Sequence, residues 1–331
     1  MSELDIKDAI NRFEAHNSIV ISRYCHPNEL KSLTDPRDQD SFIAESVFYD
    51  RIVNWIKICN DTETEKEFLR LLSVFDYFPS RRYINGFSLL INTILNKEST
   101  DLTQVLFITE ASENHCKSGG DEVRGAVGLV CRGILSNNAI RAYSHDKISY
   151  NKNVKTVIFL DDITGSGQTM YGMVKSCVKK NPWIKNTKIW IACLCGRKRK
   201  IVDKAKELRK MGLDVEGDVL FSLNKCYTNS LEDIQRKTLV EPYEKRINDQ
   251  NNLLSNDTEP DCTMGYKGNQ LLVSFYYNTP NNTLSLFWRK TKISPDPLFV
   301  RFPKPRPNIS WLSKRKKQVL NFAYRAFRVF K

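Results

Sequence analysis

Between residue 104 and residue 222 apolar runs of strand length alternate with amphipathic stretches of helix length, and this alternation restricts the fold more than any other feature. The runs TQVLFIT, KTVIFL, TKIWIACLC and DVLFS are separated by RGAVGLVCRGIL, TMYGMVKSCVKK and KRKIVDKAKELRKMG. Strands spaced by helices of roughly 10 to 15 residues are the pattern of right-handed βαβ units, so a parallel sheet covered by helices is expected. In such sheets ligands sit at the carboxyl ends of strands, where helices begin.

On either side the pattern changes. FEAHNSIVISRY, DSFIAESVFYDRIVNWIKIC, EKEFLRLLSVFDYF and INGFSLLINTIL place apolar residues three and four apart, which predicts an all-helical N-terminal part, punctuated at Pro36, CNDTETE and FPSRR. LEDIQRKTLVEPYEKRIND predicts one more helix, NDQNNLLSNDTEPD an exposed loop, and QLLVSFYYNTPNNTLSLFW two β segments about a turn at TPNN. The expected class is therefore α/β: a parallel-sheet core at 101–240, a helical region at 1–100 and an α+β extension at 241–331. No internal repeat is present.

The 331 residues are 41% apolar and 27% charged, a soluble globular composition, with no apolar run long enough to span a bilayer. MSELDIKDAINRFEAH has no signal-peptide core, so a cytoplasmic protein is expected. Nine cysteines occur without a single C-x-x-C, which suggests neither a disulfide framework nor a zinc site. Cys193 and Cys195 alternate along an apolar run and read as small buried side chains.

The chemistry concentrates in FLDDITGSGQT. Val157–Leu160 read as a buried strand with Asp161 and Asp162 at its carboxyl end, and a helix is expected to start near Thr169. The intervening turn then carries free amides and the positive end of a helix dipole to one point, an arrangement suited to phosphate. Gly165 and Gly167 allow close approach, and Thr164, Ser166 and Thr169 add hydroxyls. Carboxylates beside a phosphate cradle need another function on the same ligand, and sugar hydroxyls or a divalent cation supply it. The ligand class is a phosphorylated sugar. A Walker loop would need a lysine that is absent here, and a dinucleotide fingerprint a glycine where Met170 stands. An Asp-capped strand-to-helix turn is the bland alternative.

Four apolar residues, two acidic ones and Ser/Thr-Gly-x-Thr resemble the phosphoribosyl pyrophosphate motif of type I phosphoribosyltransferases. The resemblance implies that Asp161 and Asp162 hold the ribose hydroxyls and a Mg²⁺-bound ribose phosphate, and that Thr164, Gly165, Ser166, Gly167, Gln168 and Thr169 hold the 5-phosphate. Gln168 departs from the family, which usually has glycine there. The family's pyrophosphate loop corresponds to EASENHCKSGGDEVRG, where Lys117, Ser118, Gly119 and Gly120 offer a cation, a hydroxyl and open amides; the other reading is a solvated turn. Lys117 is the candidate catalytic cation. Glu110 is a candidate metal or base contact, and Arg124, Arg132 and Arg141 are candidate partners for the same charge. SENHCKSGG and NTPNNTLSLFW extend the likeness to phosphoribosyltransferase-like effectors of bacterial conflict operons, some retron-linked, which implies pentosyltransferase chemistry in anti-phage defence. Asn281 and Asn282 of TPNN have a second reading, as the wall of an active site.

The net charge of +13 is a property of the tail. Arg301–Lys331 contain ten Lys or Arg and no Asp or Glu, leaving +3 on the other 300 residues. WLSKRKKQVLNFAYRAFRVFK, residues 311–331, projects as a basic amphipathic helix. It can dock its apolar face on its own domain, bind a nucleic acid or an acidic defence partner, or lie on a membrane; the first two are preferred and compatible. Two other functions stand beside the enzyme: a non-catalytic nucleotide-sensing or scaffold module, and a nucleic-acid-binding protein acting through this tail. Composition does not indicate the acceptor, the trigger or the oligomeric state.

Overall fold

The computed structural model describes residues 2–19, 44–109, 119–131, 148, 150–254, 261–294, 297–299 and 301. The chain begins with α1 (Glu3–Asn17), α2 (Ala44–Ile56) and α3 (Thr62–Ser73), then a short strand β1 (Asp76–Phe78) and α4 (Ser80–Glu98). Two details differ from the helical pattern expected of this region. α1 stops at Asn17, because Ser18 turns left-handed at φ 53° and the Asn17 amide is drawn to the Phe75 carbonyl at 2.8 Å. DYF is a strand and not the end of a helix, because the Asp76 amide donates to the Leu272 carbonyl at 3.0 Å and leaves the helical path.

The central sheet, among the described residues, has four parallel strands in sequential order: β2 (Val105–Thr109), β3 (Thr156–Thr164), β4 (Lys188–Gly196) and β5 (Val215–Ser222). Alternation along the strands gives each face its own apolar set. Phe107, Ile158 and Leu160 pack under Phe87 and Leu90 of α4 and under Val123 and Val127 of α5 (Gly119–Val130). Ile108, Val157, Phe159 and Ile191 pack under Met170 and Val174 of α6 (Gln168–Lys180) and under Ile201 and Leu208 of α7 (Lys198–Arg209). Helices thus cover both faces, and the chain leaves β2 toward one face but β3 toward the other. Where neighbouring strands send their helices to opposite faces, a crevice opens at their carboxyl ends.

The C-terminal part is tied to the N-terminal helices. α8 (Leu231–Leu254) runs into the Asn-rich stretch expected to be a loop, and β6 (Val273–Phe275) pairs in parallel with β1. Phe13, Trp55, Phe75, Val240, Leu286 and Phe299 share one core, with Phe75 stacked on Phe299 at 4.3 Å between ring centroids. Of the two expected β segments only the first forms; Ser285–Phe287 is a 3-10 turn. Its cause is Glu244, a fully buried carboxylate of α8 that accepts from the Ser285 amide at 3.1 Å, the Leu286 amide at 2.7 Å and the Met264 amide at 2.9 Å. Successive amides of a strand point to opposite sides, so Ser285 and Leu286 reach one carboxylate only by turning. TPNN makes the expected turn, closed by the Thr283 amide on the Pro280 carbonyl at 3.1 Å.

Candidate functional site

The acidic pair lies in the crevice, but inside the strand and not at its end. The ladder with β4 continues through Asp161↔Cys193, Ile163↔Cys195 and Thr164↔Gly196, so β3 closes only at Thr164. Neighbouring strand residues point to opposite faces, and the two carboxylates part company. Asp162 turns to the α4/α5 face, is 6% exposed, and accepts a hydrogen bond from the Tyr277 hydroxyl. Gly119, at the start of α5, stands against the same carboxylate: a Cβ on it would lie 2.6 Å from Oδ2. Asp161 is half-buried, and its Oδ1 accepts the Asp162 amide at 2.9 Å.

Tyrosines surround Asp162. Tyr276 donates to Glu122 Oε2 of α5 at 2.5 Å. Tyr83 of α4 is fully buried, and its hydroxyl has no hydrogen-bond partner among the described residues. Burial first, then the nearby Asp162 charge, pushes the Tyr83 pKa well up and keeps the phenol protonated. The Thr109 hydroxyl, at the carboxyl end of β2, is also buried and has no partner among the described residues.

After Thr164 the chain needs only Gly165, Ser166 and Gly167 to reach α6, whose first residue is Gln168. Gly167 caps the helix at φ 74°, a left-handed geometry that favours glycine. Among the described residues the amides of Gly165, Ser166 and Gly167 enter no backbone hydrogen bond, and that of Gln168 reaches only the Ser166 hydroxyl at 3.4 Å. Thr164 is buried, whereas Gln168 and Thr169 are exposed on the first helical turn. The loop itself is therefore Gly165–Gly167.

α7 begins beside this loop. The Arg197 amide donates to the Thr164 carbonyl at 3.0 Å, and a Cβ on Gly167 would lie 2.9 Å from Lys204 Cγ. Arg197, Lys198, Arg199 and Lys200 occupy the cap and first turn of α7, where the helix dipole disfavours cations. Lys198 pairs with Asp218 at 2.6 Å, while Arg197, Arg199 and Lys200 form no ion pair among the described residues. Burial, and after it Arg197, lowers the pKa of Lys225. A cluster of cations with this little compensation is a local field for an anion.

The sequence-predicted residues divide accordingly. Asp161, Asp162, Gly165, Ser166 and Gly167 follow one another from the end of β3 to the start of α6, and Gly119 stands against the Asp162 carboxylate. Gly120 lies just inside α5, and Arg124 pairs with Asp121 of its own helix at 3.7 Å. Lys117, Ser118, Glu110, Arg132, Arg141 and the tail 311–331 lie outside the described residues. The sequence reading did not include Tyr83, Tyr276, Tyr277 and Asn269, which reach the site from the helical region and the extension. Among the described residues no group of three or more His, Cys, Asp or Glu could hold a metal ion. Asp161, half-buried where β3 runs into the loop, is an oxygen donor of the kind that would hold Mg²⁺ were the ion carried in on ligand phosphates.

A parallel sheet covered on both faces, with an acidic strand running into a three-residue glycine loop at its switch point, is consistent with a phosphoribosyltransferase-like core. The chain belongs to the PRTase-CE family, whose model matches residues 52–301. Among solved structures, the Helicobacter pylori xanthine-guanine-hypoxanthine phosphoribosyltransferase is similar over 37% of this chain and 75% of its own, at 13% identity and a TM-score of 0.27. No curated protein matches the chain. Among the described residues no helix is long and apolar enough to cross a membrane.

Proposed function

We propose that this protein binds phosphoribosyl pyrophosphate, or a related ribose-phosphate nucleotide, together with Mg²⁺, and acts as a pentosyltransferase. The observation that carries the reading is the set of amides at Gly165–Gly167, at the N-terminus of α6 and just after Asp161 and Asp162, that enter no backbone hydrogen bond among the described residues. The loop takes the 5-phosphate, and the carboxylates of β3 take the ribose hydroxyls. In the reaction the bond from C1 to the pyrophosphate oxygen breaks, pyrophosphate leaves with the electron pair, and C1 bonds to an acceptor nitrogen that loses a proton. Mg²⁺, when bound, neutralises the leaving pyrophosphate. The chain contributes orientation and a preformed field, from the loop amides and the cations of α7. Anti-phage defence, the role implied by the likeness to conflict-operon effectors, is part of this proposal.

Pyrophosphate release from phosphoribosyl pyrophosphate and Mg²⁺, followed across a panel of nitrogen bases, tests the reaction. Release that is lost in Asp161→Asn supports it, and equal release by wild type and variant overturns it. A non-catalytic nucleotide-sensing module is the second reading, favoured by the burial of Asp162 under Tyr277. Under it, Asp161→Asn with Asp162→Asn leaves phage protection intact. A third function, nucleic-acid binding by the basic tail, is tested by deleting 311–331; salt-sensitive binding that survives the deletion rules the tail out.

A further inference from the structure

The phosphate loop has a second wall, and it comes from the C-terminal extension. The side-chain amide nitrogens of Asn269 and Asn282 both stand where a Cβ on Gly165 would project, so they face the loop at one point. Asn269 is 4% exposed, and its Nδ2 gives one hydrogen to the Tyr266 carbonyl at 2.7 Å, which leaves the other. The Asn282 side chain has no hydrogen-bond partner among the described residues. The coil that presents Asn269 is wound tightly, with Met264, Lys267 and Gln270 at φ 57°, 56° and 52° beside left-handed Gly265 and Gly268. Non-glycine residues held in that region are costly and persist only where the surroundings impose them.

Resting on the reading of the loop given above, we propose that Asn269 and Asn282 are phosphate-binding residues that close the site on a terminal phosphate monoester. Three elements would then donate to one group: the loop amides, the Ser166 hydroxyl and the two asparagine amides. A monoester offers three oxygens and a single exit, which suits a pocket walled on two sides. A phosphodiester inside a nucleic-acid strand has two exits and needs an open groove. The ligand class is thus a small sugar phosphate or nucleotide, and not an internal phosphate of DNA or RNA.

Calorimetric titration of ribose 5-phosphate, ribose and a single-stranded oligonucleotide without terminal phosphate into the full chain tests this, with Asn282→Ala, Asn282→Asp and Gly165→Ala alongside. Asn282 makes no side-chain bond to the described residues, so both substitutions should leave the thermal midpoint unchanged, and Asp keeps the shape should Ala fail to fold. The expected result is ribose 5-phosphate binding weakened roughly tenfold or more by Asn282→Ala, the worth of one hydrogen bond to a charged acceptor. Asn282→Asp, which sets a carboxylate against the phosphate, should abolish it, and ribose and the oligonucleotide should not compete. Unchanged binding by both Asn282 variants, with Gly165→Ala defective, overturns the second wall and leaves the loop standing. Competition by the oligonucleotide overturns the monoester selectivity. Wild-type protein that binds none of the probes overturns the loop reading and this inference together.

Discussion

The Tyr277 hydroxyl donates to the carboxylate of Asp162, joining the extension to the acidic strand across 115 positions of sequence. Both groups are 6% exposed. Removing the donor leaves a buried carboxylate short of a partner, which costs about 1–3 kcal/mol. Tyr277→Phe should therefore lower the unfolding free energy by that amount, seen as a lower urea midpoint with an unchanged m-value. An unchanged midpoint would show that Asp162 is satisfied without Tyr277.

Gly119 leaves the space that Asp162 fills. A methyl group there meets Oδ2 at 2.6 Å, so Gly119→Ala should push the carboxylate off Tyr277. Its effect and that of Tyr277→Phe should then fail to add, since both act through one carboxylate; a coupling of about 0.5–3 kcal/mol in a double-mutant cycle is expected. Strict additivity would separate α5 from the Tyr277 contact.

Glu244 supplies a pH signature. Burial raises its pKa above the ordinary 4.5, outweighing hydrogen bonds from Leu286, Ser285 and Met264 that pull it down. A raised folded pKa means that the native chain holds the proton more tightly than the unfolded one. Its favourable contribution is complete below the unfolded pKa and fades as pH rises through the folded value. Glu244→Gln sets an amide donor among donors, at a cost of about 1–3 kcal/mol, and removes the titration. Urea melts across pH should show the stability of wild type over variant shrinking as pH rises; a constant difference would place Glu244 outside the titration.

The cysteines of α6 and β4 should be inert. Cys193 and Cys195 are fully buried, burial drives both thiols well up, and Cys177 is pushed up to about 11. The thiolate is the reactive form, so alkylation of native protein at pH 8 should leave these positions unlabelled in peptide mass spectra. Labelling at Cys193 without unfolding would contradict the burial of β4.

Much of this was legible because the relevant signals are local. The period-2 and period-3.6 patterns of residues 104–222 mark the sheet and its helices, and the glycines with their hydroxyl neighbours mark the loop. What was missed depends on long-range partners. DYF became a strand through the carbonyl of Leu272, and NTLSLFW gave up its second strand to the buried carboxylate of Glu244. The aspartates read as a strand end because no sequence signal announces how far a ladder with β4 will run. Tyr83, Tyr277 and Asn269 carried no motif; each is a site residue only because β1 and β6 pair and bring the extension beside the helical region. Asn282 had a partial signal in TPNN.

The most direct measurement is calorimetric titration of phosphoribosyl pyrophosphate with Mg²⁺ into the folded full chain, beside the Asp161→Asn, Asp162→Asn double variant. Stoichiometric, Mg²⁺-dependent binding to the wild type that is lost in the folded variant is the expected result. Absence of binding to folded wild-type protein, or equal binding to both proteins, would contradict a ribose-phosphate site at Asp161–Gly167.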